Sequence, residues 1–195
     1  DSMGLDEVGV KTDARGSIVI GDDMQTSVPG IYAAGDVTDR DQFVYMAAYG
    51  AKLAAKNAVL GDDQRYDNSV MPWVVFSDPQ VAGVGLSEQQ ARDAGFDVKT
   101  SVVPLDQVPR ALAARDTRGL IKLVADKATD KLLGGQIIAP EGSDTIQTLV
   151  MALKFGMTTK ALGQTIFPYL TTVEGLKLAA QTFDMDVAKL SCCAG

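Results

Sequence analysis

Histidine does not occur among the 195 residues. The side chain that most often serves as a general base near neutral pH, and the commonest nitrogen ligand for metals, is therefore missing. That excludes histidine-based nucleophile triads and histidine-containing zinc sites. Cysteine is almost as scarce: the only two, Cys192 and Cys193, are neighbours near the last residue. So low a count, with no basic and apolar signal segment opening the sequence, argues against a structural disulfide framework. No run approaches the roughly 20 apolar residues that a bilayer-crossing helix needs, so the chain reads as cytosolic with no membrane partner. Positive charge is in deficit, with 18 Lys and Arg against 25 Asp and Glu and a net charge of −7. Nucleic acid is a poor partner for such a surface, because phosphate binding needs a basic face. A Gly-x-Gly-x-x-Gly turn, which would cradle a dinucleotide pyrophosphate, is also absent.

What remains is the composition of a protein with a real core, 46% hydrophobic and 22% charged. Short apolar runs separated by Gly, Pro and Asp, at Ser17–Ile20 and Pro29–Asp36, read as strands. The Ala-rich stretch from Phe43 to Leu60 reads as a helix stopped by Gly61, and Gly61 to Ser69 as a linker. Beyond it the pattern predicts strands at Trp73–Phe76 and Gln80–Gly85 around a Ser-Asp-Pro turn. A short helix follows at Ser87–Ala94, with Ser87 and Gln90 as a capping box. Further strands fall at Val98–Val103, Gly119–Ala125 and Lys131–Ala139, the last two forming a hairpin. Helical spacing then returns at Thr145–Phe155 and Thr171–Phe183, the second opened by Thr171 and Glu174 as another capping box. Strands first and helices after define an α+β domain over residues 68–195. Residues 1–67 hold too little to enclose a core and are expected to be an incomplete piece of a larger domain.

Three motifs carry chemistry. Ser191-Cys192-Cys193-Ala194-Gly195 places two thiols side by side at a terminus, where they can share one soft cation; Hg(II) prefers two thiolates. The pair alone does not select mercury, since a redox tail would look the same. Phe167-Pro168-Tyr169-Leu170-Thr171-Thr172-Val173-Glu174 sets a phenol just ahead of a helix whose first turn holds a carboxylate. The plain alternative is a half-buried aromatic and a helix cap that accounts for Glu174 entirely. Ile31-Tyr32-Ala33-Ala34-Gly35-Asp36 ends a strand in Gly-Asp, where α/β sheets bind ligands and a carboxylate can accept from sugar-like hydroxyls. Gly35 would let such a ligand approach the backbone.

Taken in this order, the motifs resemble the flavin-dependent pyridine-nucleotide–disulfide oxidoreductases. The resemblance covers essentially the whole chain, including Asp106–Leu112 and Gly175–Gln181. It implies that Asp36, next to Gly35, holds the ribityl chain of FAD, with Gln42, Phe43 and Val44 at a helix start near the flavin ring. It implies that residues 68–195 are the dimerisation (interface) domain through which two copies pair as a homodimer. Most relatives carry a catalytic His where Tyr169 stands, with the counterparts of Thr171 and Glu174 retained. In that Tyr and in the Cys-Cys tail the chain resembles the members of the family that reduce Hg(II) with NADPH. By that resemblance Tyr169, Glu174, Cys192 and Cys193 are the catalytic set, Cys192 and Cys193 are the metal ligands, and the substrate is Hg(II) delivered as thiol complexes. The family's redox cysteine pair, first flavin motif and NADPH domain would lie upstream of Asp1, so this polypeptide alone is expected to be inactive. Two rivals stand beside this reading: a flavin disulfide reductase with another substrate, and an isolated dimerisation module with a metal-binding tail.

Overall fold

A computed structural model describes residues 3–186. The chain divides into two compact units, Asp1–Asn68 and Ser69–Gly195.

In the first unit a narrow antiparallel ladder precedes one long helix. Isolated bridges join Thr12 to Ile18, Ile20 to Thr26 and Gln25 to Tyr32. The sequence led us to expect continuous strands at Ser17–Ile20 and Pro29–Asp36, whereas each pairing is one residue long. Turns interrupt every few residues: Asp13 Oδ1 accepts from Arg15 N and Ser17 N, and Asp23 Oδ1 accepts from Gln25 N. Asx turns of this kind compete with the ladder for backbone donors. Helix α1 spans Val44–Leu60. It buries Met46, Gly50, Leu53, Ala54 and Asn57, a spacing that lines one face, and ends on Gly61 in the left-handed region at φ 69°.

Residues 61–68 are tied back onto the same unit. Asn57 donates to Asp23 O (2.9 Å) and Gln64 O (3.0 Å) and accepts from Gln64 N (3.0 Å). Asp41 Oδ2 accepts from Tyr66 Oη (3.1 Å) and Asn68 Nδ2 (2.8 Å), while the Arg40 guanidinium lies 4.7 Å from the Tyr66 ring centre. Burial, then the hydrogen bond to Asp41, pushes the Tyr66 phenol up to about 12. The phenol's folded value exceeds its ordinary value of 10, so its stabilising contribution is complete below pH 10 and is lost as pH rises towards 12. Tyr66→Phe, which cannot ionise, should lack that alkaline decline; ultraviolet phenolate titration beside thermal melts at pH 8 to 12 measures both.

The second unit is an antiparallel sheet of five strands in the order β1-β2-β5-β4-β3. The strands are β1 Trp73–Val75, β2 Gln80–Gly85, β3 Val98–Pro104, β4 Leu120–Asp126 and β5 Leu132–Ala139. A hairpin pairs Ile121 with Ile137 across β4 and β5. Alternation sends Ile121 and Leu123 into the main core with Val103, Ile137 and Leu149, and sends Val124 to a smaller cluster with Ala91 and Val98. Helix α4, Gly142–Lys154, packs on β2 and β5, and helix α6, Glu174–Gln181, on β3 and β4. The capping box of α2, Glu88–Asp93, forms in both directions: Ser87 Oγ accepts from Gln90 N and Gln90 Oε1 from Ser87 N. Two short helices were not anticipated. For α3, Pro109–Ala114, Pro at the first helical position was the available signal. For α5, Thr159–Gln164, it was Thr158, whose hydroxyl accepts from Ala161 N.

Candidate active-site elements

In the first unit Gly35 and Asp36 form the turn that ends the ladder. Gly35 adopts φ 81° and ψ −160°, a region essentially closed to L residues. A Cβ there would lie 3.0 Å from Ala47 Cβ, so the turn is pressed against the first turn of α1. Thr38 fixes it by donating its hydroxyl to Gly35 O at 2.8 Å. The Asp36 side chain, at the start of a 3-10 helix spanning Asp36–Thr38, is exposed. It receives no hydrogen bond or ion pair from the described residues, unlike Asp39, which pairs with Arg15 and accepts from Gln42 Nε2 (2.9 Å).

No side chain caps the N-terminus of α1, where Phe43 is the N-cap residue. Such an end leaves backbone donors for a ligand. The Phe43 N–H is spent on Asp41 O (2.7 Å), and its ring stacks on Tyr45 with centres 5.2 Å apart. Val44 is 85% exposed. An acceptor without a partner among the described residues, beside an uncapped helix start, is a donor–acceptor set that fits part of a flavin site. Because of its φ of 81° and the nearness of Ala47, Gly35→Ala should lower stability by about 1–3 kcal/mol through backbone strain. Thermal melts check this, and a variant as stable as the parent would contradict the reading.

In the second unit Tyr169 sits on the loop between α5 and α6, 63% exposed. Leu170 beside it is held at φ 64°. Thr171 Oγ1 donates to Pro168 O (2.8 Å) and accepts from Glu174 N (3.3 Å). Only half of the expected capping box therefore forms, and α6 begins at Glu174 rather than Thr171. The Glu174 carboxylate does not reach back to Thr171. It is 4% exposed, and its Oε2 is the one buried side-chain polar atom without a hydrogen-bond partner among the described residues. Capping therefore leaves its burial unexplained, and an unpartnered buried acceptor calls for a reason of its own. Thr172 Oγ1 ties the loop to Glu141 Oε2 at 2.8 Å, and Arg110 stands 3.7 Å from that same carboxylate's Oε1. The sequence did not single out Thr172 or Glu141, because side chains 31 positions apart leave no local pattern.

Tyr169 and Glu174 thus share one loop-to-helix junction, and Gly35 and Asp36 share a turn against α1. Cys192 and Cys193 lie outside the described residues. No group of three or more His, Cys, Asp or Glu that could hold a metal ion occurs among the described residues.

The family model described as pyridine nucleotide-disulphide oxidoreductase, dimerisation domain, matches residues 71–180, and that for pyridine nucleotide-disulphide oxidoreductase matches residues 1–55. The chain belongs to this family: an α+β dimerisation domain preceded by part of the oxidoreductase domain. Its whole length is similar to proteins named mercuric reductase. It is 53% identical to that of Bacillus cereus over 194 residues, 100% of this chain and 31% of the relative. It is also 53% identical to that of Lysinibacillus sphaericus, covering 100% of this chain and 36% of the relative. The chain therefore spans about a third of the length of these relatives. Among solved structures, the HOCl-induced flavoprotein disulfide reductase RclA of Escherichia coli superposes with a TM-score of 0.85 at 28% identity, over 93% of this chain and 42% of that one. LpdA of Mycobacterium tuberculosis gives 0.85 at 26%, over 94% and 40%. No helix of the described residues is long and apolar enough to cross a membrane.

Proposed function

We propose that this chain serves as the C-terminal part of an NADPH- and FAD-dependent mercury(II) reductase. One observation carries the reading: a chain without histidine sets an exposed phenol, Tyr169, before a buried carboxylate, Glu174, and also bears an adjacent thiol pair. The half-identical mercuric reductases, matched over the whole of this chain and about a third of their own length, support it. Proton shuttling to a dithiol, as in disulfide reduction, needs a base near neutral pH, and no histidine is present to supply one. Exchange of a soft metal between thiolates needs no such base.

FAD, when bound, would supply electrons from NADPH to the metal. Asp36 would accept from its sugar-like hydroxyls, and the uncapped start of α1, at Gln42, Phe43 and Val44, would face its ring. The NADPH site and the inner cysteine pair find no counterpart in this chain, whose only cysteines are Cys192 and Cys193.

This chain's own work is capture and transfer. Hg(II) arrives held by two thiolates. A deprotonated Cys192 or Cys193 attacks the metal, a Hg–S bond forms to the chain, and one incoming thiolate leaves. The neighbouring thiolate then displaces the second ligand. That step is intramolecular, which raises its effective concentration without demanding irreversible affinity. Tyr169 would assist the next exchange in the partner copy of a homodimer, in which residues 69–195 form the interface. Thr171 and Thr172 hold the loop through Pro168 O and Glu141, and Glu174 would offer its buried Oε2, unpartnered among the described residues, as an acceptor at that site.

Mass spectrometry of this chain with Hg(II) in excess monothiol tests the capture step. One mercury retained per chain, and none on the Cys192→Ala/Cys193→Ala variant, is expected. No retention by the parent chain would remove the tail from the mechanism.

A further inference from the structure

Between α5 and α6 lies a groove of about 600 Å³, in the range of small-molecule sites. Its apolar lining comes from Gly163, Ile166, Phe167 and Ala180. Lys160 and Lys177 also line it; the Lys160 backbone N–H donates to Asp130 Oδ2 (3.1 Å), while neither ammonium makes an ion pair or hydrogen bond with the described residues. The other residues around it are neutral except for one acid, Asp184. In a chain of net charge −7, a concave patch with two uncommitted cations and one acid is complementary to an anion that also carries aliphatic surface. Met185 forms part of the rim. Cys192 follows it by seven residues, an extended reach of about 24 Å.

We infer that this groove is a docking site for the organic part of an anionic mercury thiolate, a carboxylate-bearing thiol up to the size of a tripeptide. The two lysines take the carboxylates and the aliphatic lining takes the carbon chain. The inference rests on the mercury reading for its purpose, and on the groove alone for its binding. No step is added to the chemistry: the docked thiol leaves as thiolate when a tail sulfur takes its place on the metal.

The experiment uses the full-length flavoprotein and the Lys160→Met/Lys177→Met variant, which keeps the aliphatic stems and removes the charges. Binding of S-methylglutathione, an anionic tripeptide thioether with no thiolate for the metal, is followed by ligand-observed NMR. Turnover is measured with Hg(II) bound by 3-mercaptopropionate, an anionic thiol, and by 2-mercaptoethanol, a neutral one. Saturable thioether binding that the double variant loses is expected. So is a roughly five- to tenfold fall in kcat/KM for the anionic complex alone, the scale of two part-exposed ion pairs. Equal binding by parent and variant, or equal losses for both complexes, would overturn the assignment. Binding seen only after removal of residues 187–195 would give the groove to that segment and overturn it as well. If neither complex is turned over while the thioether still binds through the lysines, the docking site stands and the mercury reading falls.

Discussion

Replacing Cys192 and Cys193 together by Ala, in the full-length protein, should reduce kcat/KM for Hg(II) held by bulky thiol ligands by about two orders of magnitude or more, the effective-concentration advantage of an intramolecular second exchange. Small ligands that can reach an inner thiol pair unaided should lose far less. The contrast between ligand sizes is the informative quantity, because a misfolded variant would lose both. Each single variant should fall between, since one sulfur can still attack but cannot complete the two-thiolate capture. Stopped-flow measurement of NADPH oxidation with the two ligand classes reads the effect. Unchanged turnover of the bulky complex by the double variant would remove the relay.

Tyr169→Phe should slow turnover by roughly a hundred- to a thousandfold, the range associated with removing one positioned donor at a reacting centre. The fold should be untouched. Tyr169 is 63% exposed and its loop is fixed by its neighbours: Thr171 on Pro168, and Thr172 on Glu141. An unchanged melting temperature beside a lowered kcat supports a role for the hydroxyl in exchange. A variant that melts early would instead make the phenol structural.

Glu174 shows where the sequence stops being informative. Spacing alone made it the reciprocal partner of Thr171, and the analogous spacing at Ser87 and Gln90 forms the complete box. The difference is tertiary. The N-terminal end of α6 is sunk into the sheet, so that a Cβ on Gly175 would come within 2.6 Å of Ile121 Cδ1. Glu174 is carried into the interior with it, and only one of the two capping bonds survives. Burial set by a strand more than fifty positions away has no local signature. In the second unit β3, β5 and α4 were legible because each buries a largely regular face, whereas the six-residue α3 and α5 are too short to show one. In the first unit, the runs at Ser17–Ile20 and Pro29–Asp36 have the composition of strands but turns too closely spaced to pair as more than single bridges. The Gly35-Asp36 turn was legible for another reason: a backbone at φ 81° and ψ −160° restricts the residue to glycine.

In the full-length protein, electrons from NADPH should reach Hg(II) rather than a disulfide. The most direct measurement supplies the full-length flavoprotein with NADPH and Hg(II) in excess thiol, and counts NADPH consumed against mercury vapour released. One Hg(0) per NADPH is expected, as required by transfer of two electrons to the metal. Efficient NADPH-driven reduction of a disulfide with no release of Hg(0) would contradict it.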